Sequence, residues 1–151
     1  MRPLYNAIFT HLQEFDNQIN ALLDSLPPEA LDWRPGAEMN SVAVLVTHIC
    51  GAQRYWVGST SRDGMLPRNR PAEFQTQGVT HASLKADLAY TLRYTQDVLN
   101  TLTVDDLTRH ATVLRESQPV TVGWALVHAV QHIALHLGQL QLMAQLWQQR
   151  G

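Results

Sequence analysis

Three histidines recur at every fourth position near the C-terminus, in the segment HAVQHIALHLGQLQLMAQLW (residues 128–147). The segment contains no acidic residue, lysine or arginine, and its apolar periodicity is that of a helix. A histidine buried in such a helix costs stability unless its ring nitrogens find a hydrogen-bond partner or a metal ion. The spacing therefore raises the question of what these imidazoles bind.

The pair His132 and His136 has the geometry of two ligands for one metal ion. Residues four apart on a helix lie about 40° apart in angle and one turn apart along the axis, so their imidazoles stand side by side. Two ligands make a poor site, and a third must come from elsewhere. His128 lies two turns, about 11 Å of rise, from His136, which is too far for both to share one ion with His132.

His48 is the better third ligand. It lies in an earlier predicted helix, on the same apolar stripe as Leu45 and Ala52, and therefore points inward. Metal sites in helix bundles are built from facing helices. The sequence thus favours one metal ion on His48, His132 and His136, while a role as hydrogen-bonded core residues stays open as the alternative.

Other catalytic patterns are absent from the sequence. There is no glycine-rich phosphate loop and no Gly-x-Ser-x-Gly motif. Gln131 and Ile133 flank His132, so no glutamate stands beside the histidine pair as the general base of a zincin peptidase. Glu-x-x-His pairs, which hold di-iron sites in ferritin-like bundles, are also missing.

Four amphipathic segments predict the helices that position these residues. Together they indicate an all-α fold, a four-helix bundle forming a single domain over residues 1–151. The predicted helices run from about Leu4 to Leu26, from an Asn40 or Ser41 cap to about Gly58, from about Ser83 to Leu102, and from Val122 to Gln148 after a Thr121 cap.

The connections between the helices differ in kind. Residues 59–80 lack periodicity and predict a long crossover between helices 2 and 3. The connections from helix 1 to 2 and from 3 to 4 are taken as short, which favours antiparallel neighbours. Residues 103–121 are expected to be irregular, with Val113–Glu116 briefly extended. Helices 2 and 4 are expected to face each other, because that brings His48 to the histidine pair.

The fourth predicted helix is apolar nearly all round. A helix without a polar face is buried on more than one side. The pattern favours a homodimer through this helix, and a central position in a monomer would satisfy it as well. Glutamines and histidines interrupt the segment too often for a membrane span.

Composition excludes several partners. The 151 residues carry a net charge of −2, and Lys85 is the single lysine, so neither nucleic acid nor an anionic membrane is an expected partner. The single cysteine, Cys50, rules out an intramolecular disulfide and is interpreted as a core residue. The N-terminal segment lacks the apolar run of a signal peptide, and a cytoplasmic location is expected.

The chain resembles the DinB/YfiT-like superfamily of metal-dependent four-helix-bundle proteins. Residues 31–49, LDWRPGAEMNSVAVLVTHI, resemble its Trp-x-Pro loop followed by a helix that carries a histidine. Residues 128–143, HAVQHIALHLGQLQLM, resemble its His-x-x-x-His-x-Gly-Gln signature. The resemblance, which covers nearly the whole chain, implies one divalent metal ion, commonly nickel or zinc, on His48, His132 and His136. It also implies a homodimer and, from related isomerases and transferases, dependence on a low-molecular-weight thiol such as mycothiol or bacillithiol.

The chain departs from the family pattern beside the expected pocket. Family members often have an arginine where this chain has Leu137, and many have an acidic residue where it has Gln53 and Arg54. Both changes remove charge. Gly138 is expected to allow close helix packing, and Gln139 to orient a ligand or simply to pack. His128, Tyr55 and Arg54 are further candidates for residues that line the pocket or contact the ligands.

The predicted function is that of a metal-dependent enzyme acting on a small molecule. Three neutral imidazoles leave open positions on an ion, which can lower the pKa of a water or thiol there. The expected reaction is transfer of a low-molecular-weight thiol to an electrophile, or a related isomerisation or hydrolysis. The sequence identifies no catalytic residue beyond the metal ligands. The alternative is a non-catalytic dimeric bundle that binds a metal for structure, or a small ligand in an apolar pocket.

Overall fold

The computed structural model describes residues 1–115 and 117–150. In this part of the chain, four long helices form the bundle and a short helix and a hairpin lie in the connections between them. The elements are α1 (Pro3–Ser25), α2 (Val42–Gly58), α3 (Arg70–Glu73), α4 (His81–Thr101), β1 (His110–Arg115), β2 (Gln118–Thr121) and α5 (Val122–Gln149), with 3-10 turns at Pro28–Ala30 and Val104–Thr108. The prediction of an all-α bundle is confirmed, and its third and fourth predicted helices are α4 and α5.

Side-chain caps decide where the helices begin. The Ser41 hydroxyl accepts a hydrogen bond from the Val44 amide at 3.2 Å and starts α2, and the Thr121 hydroxyl does the same for α5. Thr80 and Ser83 form a reciprocal capping box, so α4 begins two residues earlier than predicted. These caps satisfy amides that would otherwise be left unpaired in the first turn.

The packing of the long helices corrects one prediction. Both α1 and α2 pack against α4 and α5, whereas the sequential pairs α1–α2 and α4–α5 are not among the closely packed ones. The expected antiparallel neighbours are therefore wrong, because the linkers contain 3-10 turns and a hairpin and are long enough to cross the bundle end. Trp33, in the first linker, meets Trp147 of α5 edge to face, with ring centroids 5.6 Å apart. The expected contact between α2 and α5 is present.

The core is apolar and draws on all four long helices. Within α1 the buried residues include Tyr5 and Leu23, while Leu4, the first residue of the predicted helix, is exposed. Cys50 is fully buried, as predicted, and burial raises the pKa of its thiol. A thiol that stays protonated in the core is not a nucleophile.

The two connections that looked irregular both contain structure. The crossover includes the four-residue helix α3, which Asn69 caps by accepting a hydrogen bond from the Ala72 amide at 3.2 Å. Residues 103–121, expected to be irregular, contain an antiparallel pair of strands in which His110 lies opposite Thr121. The second strand is only four residues long and contains Pro119, which weakens the strand signal in the sequence. Of the segment expected to be extended, residues 113–115 lie in β1 as predicted, and Glu116 lies outside the described residues.

One face of α5 is uncovered. Val127, Leu135 and Leu142 are exposed to 66%, 62% and 51%, so a single chain does not bury the helix on every side. Gly138 is also exposed, and a Cβ built on it would meet nothing within 4 Å. The expectation that Gly138 permits close packing is thus wrong for contacts within one chain. Across the described residues, no helix is both long and apolar enough to cross a membrane.

Candidate metal centre

Helices α2 and α5 bring three histidines together. The Nε2 atom of His132 lies 3.3 Å from Nε2 of His48 and 3.2 Å from Nε2 of His136. One ligand nitrogen from each residue lies within 4.8 Å of the other two. Because all three rings aim the same nitrogen at a shared point, the cluster has the donor arrangement of a metal site.

The spacing of the nitrogens fits a divalent ion. Two nitrogens that each bind zinc at about 2.1 Å lie roughly 3.4 Å apart at a tetrahedral angle. The observed separations of 3.2 and 3.3 Å agree with that value. Neutral imidazoles are good ligands for zinc, nickel and copper. The residues present therefore fit a single metal ion held by His48, His132 and His136.

His48 is the most buried of the three, with 5% of its surface exposed. Its Nδ1 atom lies 2.8 Å from Oε2 of Glu73, and its ring lies 4.8 Å from that of Phe74 between centroids. Burial lowers the pKa of His48, against the opposing hydrogen bond to Glu73. The contact is thus a hydrogen bond from a neutral ring to a carboxylate.

Glu73 arrives at His48 from the crossover and is itself buried. Arg68 donates to both of its oxygens, from Nε to Oε1 at 2.7 Å and from Nη2 to Oε2 at 2.8 Å. Burial alone would raise the pKa of Glu73, but the hydrogen bonds from Arg68 and His48 outweigh it and lower the pKa. The carboxylate of Glu73 therefore stays ionised beside His48.

Gly51 makes room for this carboxylate on α2. A Cβ at position 51 would lie 2.1 Å from Oε1 of Glu73, closer than any real contact of that kind. Any other residue would therefore push Glu73 away from its present position. The glycine is part of the histidine site although it contributes no side chain.

The other two histidines differ in their outer contacts. Nδ1 of His136 lies 2.7 Å from Oε1 of Gln139, one turn further along α5. Nδ1 of His132 is buried and has no hydrogen-bond partner among the described residues. Burial, followed by the neighbouring histidines, lowers the pKa of His132 to about 3. The low pKa favours a neutral His132 imidazole with a nitrogen lone pair available to a ligand.

A cleft of about 450 Å³ opens onto two of the imidazoles. His48 and His132 line it, with Tyr55, Trp56, Arg68, Arg70 and His128 around them. Arg68 lies over the Tyr55 ring, 5.3 Å from its centroid, and Arg70 lies over Phe74. A small molecule in this cleft would meet aromatic surface and guanidinium groups next to the histidine nitrogens.

The remaining candidate residues lie in different places. His128 is in the cleft wall, stacked on Trp124 and edge-on to Trp56, with its ring centroid 5.8 Å from that of His132. Tyr55 lines the same cleft. Arg54 does not, because its guanidinium contacts Asp87 and Thr91 of α4 at 2.5 Å; it lines a neighbouring cavity of about 320 Å³ behind Glu73.

Sequence reasoning missed the charges that the crossover supplies. Gln53 stands in the region where many family members have an acidic residue. Its side chain donates a hydrogen bond to Thr95 of α4 at 2.9 Å. A carboxylate nevertheless reaches His48, and it comes from Glu73, accompanied by Arg68. The only sequence signal was that a long aperiodic crossover in a compact fold usually has a task.

Fold and site together define a helical-bundle protein with a three-histidine cluster suited to a metal ion. A family model described as the DinB superfamily matches residues 11–140, and the chain belongs to that superfamily. The fold is similar to a DinB-like protein from Bacillus subtilis, with 20% identity, a TM-score of 0.73 and coverage of 95% of this chain and 93% of that one. It is also similar to a conserved protein from Enterococcus faecalis, with 17% identity, a TM-score of 0.79 and coverage of 97% and 98%. None of the curated proteins matches the chain.

Proposed function

We propose that the protein is a cytoplasmic metal-dependent enzyme that transfers a low-molecular-weight thiol to an electrophilic small molecule. The observation that carries this proposal is the convergence of three Nε2 atoms, two of which face a cleft large enough for a substrate. Small-molecule sites are concave, largely apolar and contain a few well-placed polar groups. In the transfer, a sulfur–carbon bond forms, the leaving group departs with its electron pair, and the thiol proton goes to solvent.

The chain's own residues supply the binding geometry. A divalent ion, when bound, would lower the pKa of a thiol and so provide a nucleophile at neutral pH. Trp56 and His128 present ring surfaces to an organic electrophile in the cleft. Arg70, which pairs with the Phe74 ring, offers a positive charge at the mouth for a negatively charged group of either substrate.

Zinc and nickel are the ions we propose for this site. Imidazole nitrogens suit both, and the cluster offers no thiolate that would select a softer ion. With three protein ligands, positions on the ion remain for exchangeable ligands, as in catalytic rather than structural sites. A structural ion, as in the non-catalytic alternative, would instead have a closed coordination sphere.

A reconstitution assay tests the enzymatic proposal. The protein, purified without a histidine tag, is loaded with zinc or nickel and mixed with a series of low-molecular-weight thiols and a chromogenic haloarene. We expect thiol consumption that depends on the ion and is lost in His132→Ala. Stoichiometric metal binding with no thiol transfer to any electrophile tried would favour the non-catalytic alternative.

We further propose that the protein is a homodimer through α5. Val127, Leu135 and Leu142 leave an exposed apolar face on that helix, and large exposed apolar patches mark association sites. Sedimentation should give twice the chain mass of 17.0 kDa. Leu135→Glu should shift the protein to monomer, while the matched exposed substitution Gln148→Glu should not. A wild-type monomer at tens of micromolar would overturn this proposal.

A further inference from the structure

We propose that Glu73, held by Arg68, is the positioning residue that fixes His48 in the tautomer able to bind the metal ion. The inference rests on the metal site of the proposed function and adds to it a role for the crossover. Glu73 does not line the cleft, and it contacts the cluster through Nδ1 of His48. It acts through His48, and nothing in the sequence periodicity assigned it to the site.

The hydrogen bond itself dictates the tautomer. An ionised carboxylate can only accept, so the proton between His48 Nδ1 and Glu73 Oε2, 2.8 Å apart, belongs to Nδ1. A neutral imidazole carries one N–H, which leaves Nε2 with a free lone pair. Nε2 is the atom that faces His132 at 3.3 Å. The carboxylate therefore selects the ring form that the cluster needs.

Arg68 keeps the carboxylate in place. Its guanidinium makes two parallel hydrogen bonds to the two oxygens of Glu73, a geometry that fixes the plane of the carboxylate as well as its position. Arg68 is in turn held over the Tyr55 ring. Because Glu73 and Arg68 are both well shielded from solvent, water does not compete strongly for either partner.

The contact at His136 is of a weaker kind. Its partner, Gln139, is exposed, and an amide side chain can accept through oxygen or donate through nitrogen. Gln139 thus permits either tautomer of His136, whereas Glu73 permits one tautomer of His48. Partners that orient a metal-binding histidine typically contribute 10–100-fold in metal affinity. We expect Glu73 to contribute more to metal affinity than Gln139 does.

The first test is zinc affinity, measured by competition with a chromophoric chelator. Glu73→Gln keeps the size of the side chain but removes the charge that enforces the tautomer. We expect zinc binding about 10–100-fold weaker than in the wild type. The matched control is Asp106→Asn, which alters another buried carboxylate held by arginines and should leave zinc affinity unchanged.

The second test reads the tautomer directly in the metal-free protein. Long-range proton–nitrogen NMR spectra of the His48 ring, assigned by their loss in His48→Ala, should show Nδ1 protonated and Nε2 unprotonated in the wild type. In Glu73→Ala the Nε2–H form should appear. A purely structural role for Glu73 would leave the tautomer unchanged, and that result would overturn the proposal.

A third variant reaches the same contact without changing either partner. Gly51→Ala places a Cβ where Oε1 of Glu73 now lies and should displace the carboxylate. Made alone, Gly51→Ala should weaken zinc binding. Added to Glu73→Ala, it should have no further effect, because substitutions within one network do not have additive effects. Additive losses in this double-mutant cycle would contradict the assigned route through Glu73.

The two proposals fail in different ways. If wild-type protein binds no zinc or nickel, the proposed function fails, and the NMR tautomer still decides the role of Glu73. If wild-type protein binds zinc and Glu73→Gln binds it equally well, the inference fails while the metal site stands. Weaker binding in Glu73→Gln, together with unchanged binding in Asp106→Asn, supports both.

Discussion

Glu73 and Asp106 are both buried carboxylates held by arginine, but their other hydrogen-bond partners differ. Asp106 accepts from Arg62 and Arg109 on one oxygen and from the amide and hydroxyl of Thr103 on the other. Thr103 and Arg109 lie three residues from Asp106 along the chain, and Arg62 reaches it from the segment that follows α2. Glu73 instead accepts a hydrogen bond from Nδ1 of His48, whose other ring nitrogen lies in the cluster with His132 and His136.

The difference separates a structural network from a ligand site. Each oxygen of Asp106 accepts two hydrogen bonds from the chain itself, so this carboxylate has its partners without a ligand. Around Glu73 the chain of contacts ends in three nitrogen atoms that converge on one another. Two nitrogen lone pairs that face each other repel, and a shared proton or a bound cation relieves this repulsion. A buried charge network that ends in converging acceptors is therefore the one that indicates function.

The largest expected effect is the stabilisation of the folded protein by a metal ion bound at the three-histidine cluster. A ligand that binds only the folded state adds RT ln(1 + [L]/Kd) to the free energy of unfolding, about 4 kcal/mol at a thousand times Kd. Urea titration with and without excess zinc should show this gain. His136→Ala should abolish it and His128→Ala should not. An equal gain in all three proteins would mean that zinc binds elsewhere.

The second effect is confined to the hydrogen-bond network around Asp106. Asp106→Asn removes the charge that its donors were arranged to meet, and breaking a buried charged network costs about 3 kcal/mol. Urea titration of the metal-free protein should show that loss. Zinc affinity should stay within about twofold of the wild type, since independent sites are additive. A large loss of zinc affinity would show that the two networks are coupled.

A smaller effect is the acid sensitivity that Asp106 confers. Hydrogen bonds from the Thr103 backbone and then from Arg109 hold the pKa of Asp106 well below its usual range. Its stabilising contribution is present above the unfolded-state pKa, about 3.9, and is lost as pH falls toward the folded-state value. The stability difference between wild type and Asp106→Asn should therefore shrink below about pH 4. A difference that stays constant from pH 6 to pH 2.5 would refute this assignment.

The smallest effect contrasts two glycines on the helices that carry the histidines. Gly138 has open space around it, so Gly138→Ala should raise the free energy of unfolding by about 0.5–1 kcal/mol through helix propensity. Gly51→Ala should lower it, because Glu73 occupies that space. If Gly138→Ala is instead destabilising in a concentration-dependent way, Gly138 packs against a second copy of the chain.

Much of the fold follows from local signals. Apolar periodicity and caps such as Ser41 and Thr121 predict the four long helices to within a few residues, because both features act within one turn. The diagonal placement of sequential helices depends on contacts between distant segments, and the second strand of the hairpin is short and contains Pro119. Neither leaves a periodic trace in the sequence.

The histidines and the residues that contact them also differ in how well the sequence predicts them. His132 and His136 are readable because four-residue spacing on a helix fixes their relation, and His48 because its position on an apolar stripe turns it inward. Glu73 and Arg68 lie in an aperiodic crossover, and their approach to His48 depends on the space left by Gly51. The three histidines of the cluster are thus more predictable from the sequence than the residues that contact them from the crossover.

The most direct test of this account is the metal content of untagged protein, determined by mass spectrometry beside His132→Ala. We predict close to one zinc or nickel ion per chain in the wild type and none in the variant, because His132 lies between the other two ligands. Absence of metal from the wild type, even after incubation with both ions, would contradict the assignment of the histidine cluster as a metal centre.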